Sequence, residues 1–99
     1  PIVLLLNNGG YGMLEAIDRP RPYYARPSWD YTAMASSMGA TAQHVTTPAE
    51  LAAAMNRAEA SSGAFLIEAV TARDDLSPVM TRIRAHVNEA ARAGAALQA

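Results

Sequence analysis

Two amide side chains and two glycines follow an unbroken apolar run at the start of the sequence. Residues 2–6 read Ile-Val-Leu-Leu-Leu, and residues 7–10 read Asn-Asn-Gly-Gly. An asparagine side-chain oxygen is a hard, neutral ligand suited to Mg²⁺ or Ca²⁺. Glycine lets the backbone approach a metal or a phosphate closely. The same residues also form an ordinary turn, so the spacing leaves a turn and a ligand-binding loop both open.

Other candidate sites carry weaker signals. No Gly-Lys-Ser/Thr follows the glycines, and their spacing is not GxGxxG, which excludes the two common phosphate-binding fingerprints. His44 and His86 have no further ligand at metal spacing, so we expect both to be structural or solvated. Asp74 and Asp75 could border a site, but a polar turn is the simpler interpretation.

The elements around the loop predict how it is presented. A continuous apolar run is typical of a strand covered on both faces, as in a parallel sheet. The predicted order is strand, helix, helix, strand, helix, strand, helix, with the strands at residues 2–6, 41–46 and 65–70. This order predicts an α/β fold, a parallel sheet flanked by helices. Ligands bind such sheets at the carboxyl ends of the strands, where the loop lies.

Local signals mark several helix ends. Thr47 is expected to cap a helix whose capping box is completed by Glu50. Ser28 is expected to cap an earlier helix that ends at Gly39. Residues 18–27 hold three prolines and three arginines, which predicts an irregular surface connection.

Composition bounds the class of protein. The 99 residues allow one small domain, which we assign to residues 1–93, with residues 94–99 expected to fray. A net charge of −1 argues against nucleic-acid binding, and no apolar run approaches the about 20 residues that cross a bilayer. The absence of cysteine excludes disulfides and fits a cytoplasmic location. Because the chain begins at proline, we interpret it as a fragment or a processed chain.

The segment Leu-Leu-Leu-Asn-Asn-Gly-Gly-Tyr-Gly-Met-Leu at residues 4–14 resembles the end of the thiamine-diphosphate motif. That motif begins with Gly-Asp-Gly and closes with Asn-Asn after a hydrophobic strand. Further matching residues follow in order, at 29–31, 39–40, 46–51 and 65–68. Over residues 2–90 the chain resembles the C-terminal part of the diphosphate-binding domain of thiamine-diphosphate-dependent 2-oxo acid decarboxylases. These include pyruvate, indolepyruvate, phenylpyruvate and benzoylformate decarboxylases.

The resemblance implies a cofactor and a metal ion, thiamine diphosphate and Mg²⁺. Asn8 would bind the Mg²⁺ through its side-chain oxygen, and Gly10 through its backbone carbonyl. Asn7 would support the end of the strand. Gly9 would also contact the cofactor, and Tyr11 and Gly12 would lie beside the diphosphate.

The resemblance also places Met13 and Leu14 against the thiazolium and the substrate, although both could simply pack the helix. Pyruvate decarboxylases carry a catalytic glutamate in the slot of Leu14. Glu15 lies one residue later and would point elsewhere. An apolar residue in this slot implies a pocket for an aryl or bulky aliphatic substrate.

Two parts of the family pattern are absent from the sequence. One is the Gly-Asp-Gly half of the motif with its metal-binding aspartate, and the other is the N-terminal domain whose glutamate activates the cofactor. We therefore expect the isolated chain to be inactive and to need the remaining N-terminal part of the enzyme, either in the same chain or as a separate one.

The function implied is decarboxylation of a 2-oxo acid to an aldehyde. One alternative is a carboligase similar to acetolactate synthase, suggested by the Gly12-Met13 pair. Another is a non-catalytic α/β partner subunit or fragment. The family implies a homo-oligomer, a dimer or a tetramer. We expect a small-molecule substrate and neither a nucleic-acid nor a membrane partner.

Overall fold

The computed structural model describes residues 1–98, without the side chain of residue 98, and these residues form two compact units. The first contains Pro1–Asn8 and Pro27–Ala72, and the second contains Gly9–Arg26 and the chain from Arg73 onward. In chain order the elements are β1 (Ile2–Asn7), α1 (Gly12–Ile17), a 3₁₀ turn (Pro22–Tyr24), α2 (Tyr31–Ser37), β2 (Thr41–Val45), α3 (Pro48–Ala60), β3 (Phe65–Val70) and α4 (Pro78–Gln98).

The first unit is built on a parallel sheet. Among the described residues its strands follow the order β1-β3-β2, so β3 is central. Glu68 of β3 lies in register with Leu5 of β1 and His44 of β2. The predicted α/β fold, a parallel sheet flanked by helices, is confirmed.

The core of this unit lies where α3 packs on β2 and β3. Its buried members are Val45, Ala54, Ala58, Phe65, Ile67 and Ala69. Leu51 and Met55 of α3 pack against them at helical spacing, which is the amphipathic pattern that predicted this helix. Removing these side chains from water supplies the main driving force for the unit.

The first strand is more exposed than its sequence predicts. The expectation that β1 is covered on both faces is wrong for the described residues, since its apolar side chains are largely exposed and Leu6 is 67% exposed. The physical reason for this exposure is where the helices of the unit pack. Within the first unit β1 pairs with β3 at the edge of the sheet, while α2 and α3 pack on β2 and β3.

The cap of α2 differs from the prediction. Asp30 caps this helix instead of Ser28, and its carboxylate accepts a hydrogen bond of 2.9 Å from the backbone N–H of Ala33. A carboxylate at this position also interacts favourably with the helix dipole, so the helix begins at Tyr31. The predicted end is confirmed, because Gly39 follows the C-cap with a φ of +89°, a conformation that favours glycine.

The capping box of α3 is confirmed in one half and shifted in the other. The hydroxyl of Thr47 accepts from the backbone N–H of Glu50 at 3.2 Å. The Glu50 carboxylate accepts from the N–H of Thr46 at 2.8 Å, one residue before the position that a capping box predicts. This hydrogen bond is the largest cause of a lowered pKa at Glu50.

In the second unit α1 packs against α4. Helix α4 begins after Ser77, whose hydroxyl accepts from the backbone N–H of Met80 at 3.2 Å. It continues as helix to Gln98, where we expected fraying from residue 94, and Ala99 lies outside the described residues. The domain boundary at residue 93 stays a prediction. In the part of the chain that the structure describes, no helix has the length and apolar character needed to cross a membrane.

Candidate functional site

The carboxyl end of β1 is held to β3 by both main chain and side chain. The carbonyl of Asn7 accepts from the backbone N–H of Thr71 at 2.9 Å. The side-chain amide of Asn7 donates to Oε2 of Glu68 at 2.8 Å. Asn7 is the last residue of β1, so these contacts fix the point at which Asn8 leaves the sheet.

Glu68 is a buried carboxylate in the central strand, with only 5% of its surface exposed. Besides Asn7 on one neighbouring strand, it contacts His44 on the other, with 2.7 Å between Oε1 and Nδ1 of the histidine. His44 itself is half-exposed. Each carboxylate oxygen therefore has a partner on a different strand, as a buried polar group requires. The three side chains form a connection across the sheet, which we call the Asn7–Glu68–His44 bridge.

The glycines of the loop belong to the second unit, whereas Asn8 is the last residue of this segment of the first. Gly9 has a φ of +76°, which an L-residue rarely adopts. Gly10 forms an isolated antiparallel bridge with Ala25, and a Cβ on Gly10 would lie 2.6 Å from the carbonyl oxygen of Tyr24. The backbone therefore needs glycine at both positions, at Gly9 for its positive φ and at Gly10 for the close approach of Tyr24.

The segment at 18–27 is more ordered than an irregular connection. It contains the 3₁₀ turn at Pro22–Tyr24 and returns beside the glycines. The backbone N–H of Tyr11 donates to the carbonyl of Tyr24 at 3.0 Å, and the N–H of Arg26 donates to the carbonyl of Gly9 at 3.0 Å. The guanidinium of Arg26 also lies 5.5 Å from the centre of the Tyr11 ring.

Asp18 fixes the start of this returning segment. Its carboxylate accepts from the hydroxyl of Tyr24 at 2.6 Å, from Nε of Arg21 at 3.0 Å and from the backbone N–H of Arg19 at 2.8 Å. These hydrogen bonds, that of Tyr24 first, lower the pKa of Asp18 to about 2. The carboxylate is therefore ionised throughout the physiological range.

Helix α1 presents apolar side chains after the loop. Met13 is 66% exposed and Leu14 is 41% exposed, whereas Gly12 is buried. The carboxylate of Glu15 forms an ion pair with Arg73 and accepts a hydrogen bond from its guanidinium. That hydrogen bond lowers the pKa of Glu15 and raises the pKa of Arg73.

A metal ion on this part of the protein would need neutral oxygen ligands. Among the described residues no three histidine, cysteine or acidic side chains come together in a way that could hold a metal. The amide oxygen of Asn8 and the carbonyl of Gly10 are hard oxygen ligands of the kind that Mg²⁺ accepts together with phosphate oxygens. A Cβ on Gly9 would have nothing within 4 Å, so the backbone there is open to the close approach of a ligand, whereas the corresponding space at Gly10 is filled by the carbonyl of Tyr24 and the side chain of Arg73.

Comparison with known proteins identifies the family. The family described as thiamine pyrophosphate enzyme, C-terminal TPP binding domain, matches residues 1–69. The chain belongs to this family. An indole-3-pyruvate decarboxylase from Azospirillum brasilense is 39% identical over 83 residues, which cover 83% of this chain and 15% of that enzyme. The resemblance to thiamine-diphosphate-dependent 2-oxo acid decarboxylases is thereby confirmed.

The region shared with the thiamine pyrophosphate enzymes runs from β1 into β3. It includes the loop with every residue for which the sequence predicts a metal, cofactor or substrate contact, and it includes all of the Asn7–Glu68–His44 bridge. Asn8 and Gly10 are the predicted metal ligands within it. Their roles stay predictions.

The Asn7–Glu68–His44 bridge was not predicted from the sequence. His44 was expected to be structural or solvated, which its hydrogen bond with the buried carboxylate of Glu68 agrees with, but that partner was not predicted. The available signal was a glutamate within the otherwise apolar strand Phe65–Val70, because a charge in a central strand needs partners. Asp74 and Asp75 lie at and just after a turn beyond β3, as expected.

Proposed function

We propose that the full-length protein with this sequence is a Mg²⁺-dependent enzyme that decarboxylates a 2-oxo acid to an aldehyde with thiamine diphosphate. The observation that carries the proposal is the 39% identity with an indole-3-pyruvate decarboxylase over 83 residues, which are 83% of this chain. Because the chain spans 15% of that relative's length, the activity belongs to the whole protein. An oligomeric, cytoplasmic enzyme is part of the same proposal.

The residues of this chain would hold one side of the cofactor. Asn8 and Gly10 would bind Mg²⁺ through side-chain and backbone oxygens, which suits the preference of this ion for hard ligands. Gly9, Tyr11 and Gly12 would lie beside the diphosphate. Thiamine diphosphate, when bound, supplies the nucleophilic carbon and the electron sink that decarboxylation requires.

The substrate proposed is an aryl or bulky aliphatic 2-oxo acid. Leu14 and Met13 would line its apolar substituent, and the exposure of both side chains in α1 supports this role. Position 14 carries no carboxylate, and the carboxylate of Glu15 forms an ion pair with Arg73. The proposed enzyme therefore selects its substrate by apolar contact.

The test is a product assay on the full-length protein with Mg²⁺ and thiamine diphosphate. Phenylpyruvate and indolepyruvate are expected to give aldehyde and carbon dioxide with a higher kcat/KM than pyruvate. Leu14→Glu is expected to reduce this preference about 10-fold or more, since one apolar contact discriminates by roughly 10- to 200-fold. Leu97→Glu is the matched control, because Leu97 is 90% exposed in α4.

The outcomes separate the competing functions. An unchanged preference for bulky acids in Leu14→Glu would remove Leu14 from the substrate pocket. Acetolactate formed from pyruvate without free aldehyde would instead favour the carboligase. A full-length protein that yields neither product would favour a non-catalytic α/β partner subunit.

A further inference from the structure

A buried carboxylate in the central strand has no part in the proposed contacts with metal, cofactor or substrate. Glu68 is 5% exposed, and its neighbours along β3, Ile67 and Ala69, belong to the apolar core. Burying a charge is unfavourable unless hydrogen bonds replace the lost water. An apolar residue of similar volume often gives equal or greater stability at such a position. Stability alone therefore does not explain this glutamate.

The hydrogen bonds of Glu68 indicate what it does. Its Oε2 accepts from the Asn7 amide at 2.8 Å, and its Oε1 lies 2.7 Å from Nδ1 of His44. A carboxylate oxygen only accepts, so the histidine nitrogen donates. Held from both neighbouring strands, the carboxylate has one orientation, and it passes that constraint to the side chain of Asn7.

Asn7 is the residue before the proposed metal ligand Asn8. With its carbonyl bound to the N–H of Thr71 and its side chain bound to Glu68, Asn7 is fixed in main chain and side chain alike. Both contacts therefore constrain the residue from which the backbone enters Asn8. Residues that hydrogen-bond directly to a metal ligand commonly change metal affinity by about 10- to 100-fold when they are removed, and Glu68 acts one residue further away.

We propose that Glu68 is a positioning residue, which orients the strand end at Asn7 so that Asn8 can bind Mg²⁺ together with thiamine diphosphate. This inference rests on the proposed function. Glu68 acts through Asn7 and does not itself contact the ion. His44 holds the second oxygen of the carboxylate and so contributes indirectly.

The test is calorimetric titration of full-length protein with Mg²⁺ at a fixed, saturating concentration of thiamine diphosphate. Glu68→Met fills a similar volume but removes both carboxylate oxygens that accept hydrogen bonds. We expect it to raise the apparent Kd for Mg²⁺ by about 10-fold or more. Glu68→Gln is expected to stay within about 3-fold of the wild type. Its oxygen can accept from Asn7 and its nitrogen can donate to His44, whose neutral ring can carry the hydrogen on Nε2.

Two controls separate positioning from folding. Ile67→Val lowers the stability of the same strand without touching the bridge, so it should lower Tm and leave the Kd unchanged. Asn7→Ala removes the donor of the same hydrogen bond. The double variant Asn7→Ala with Glu68→Met should therefore have nearly the same Kd for Mg²⁺ as Glu68→Met alone. This second route also tests the proposal if Glu68→Met does not fold.

The outcomes are distinguishable. If Glu68→Met leaves the Kd for Mg²⁺ unchanged, the positioning role is overturned and the proposed function is not. The same follows if Ile67→Val, at the same loss of Tm, raises the Kd as much as Glu68→Met does. If Glu68→Met does not fold, an unchanged Kd in Asn7→Ala would do the same. A wild-type protein that binds no thiamine diphosphate with Mg²⁺ would overturn the proposed function and this inference with it.

Discussion

Asp18 illustrates how a single exposed residue can be held in one state by its hydrogen bonds. The hydroxyl of Tyr24, the side chain of Arg21 and the backbone N–H of Arg19 all donate to its carboxylate. The pKa falls from an ordinary 3.8 to about 2 for this reason. The same contact raises the pKa of Tyr24, whose hydroxyl is the donor.

The pH dependence of this contact follows from the sign of the shift. A carboxyl whose folded pKa is lower than its unfolded pKa stabilises the folded state above the unfolded value, and the contribution is lost as pH falls through the folded value. For Asp18 the loss lies between about pH 4 and pH 2. The Asp18 carboxyl, followed by carbon NMR, should therefore titrate with a midpoint near pH 2.

Tyr24→Phe should raise that midpoint toward the ordinary value, since it removes the largest cause of the shift. Tyr23→Phe is the matched control, because the neighbouring ring contacts Tyr24 edge-on and its hydroxyl is not among the causes of the shift. A midpoint near 3.8 in the wild-type protein would contradict this interpretation of the contact.

At the scale of elements, the loop after β1 is defined by the segment that returns beside it. Gly10 pairs with Ala25, and the adjoining N–H of Tyr11 donates to the carbonyl of Tyr24. The approach of the two backbones leaves no space for a Cβ on Gly10. The path of the loop thus depends on a contact between segments some fifteen residues apart.

Gly10→Ala should disrupt this pairing. The added Cβ would lie 2.6 Å from a backbone oxygen, so the backbone must shift, at a cost of about 1–3 kcal/mol in unfolding free energy. Thermal unfolding measures the cost, and faster hydrogen exchange at the Tyr11 amide locates it. Gly63→Ala should change little, since a Cβ at that position would have nothing within 4 Å. Equal behaviour of both variants would contradict the close approach at Gly10.

Local signals in the sequence predicted most of the elements, and contacts between distant residues account for what was missed. Thr47 and Gly39 act within one turn of their helices, so their roles were predictable. The Asn7–Glu68–His44 bridge depends on the order and register of three strands, which no local pattern contains. The exposure of β1 was missed for the same reason, because it depends on the packing of α2 and α3 on β2 and β3.

At the scale of the whole molecule, the chain is one part of the architecture that its family implies. It contains the loop and the sheet that the family match covers, and it spans 15% of an indole-3-pyruvate decarboxylase. The resemblance predicted the family from the order of short motifs. The metal and cofactor contacts of individual residues stay predictions.

Calorimetric titration of the full-length protein with thiamine diphosphate tests the central claim most directly. We predict binding in the presence of Mg²⁺ that EDTA abolishes. Asn8→Ala should weaken it by at least about 10-fold, given that even indirect partners of a metal have effects of this size. Asn56→Ala, the same change on an exposed face of α3, should bind as the wild type does. Equal binding by Asn8→Ala and the wild type, or binding that is indifferent to Mg²⁺, would contradict the account.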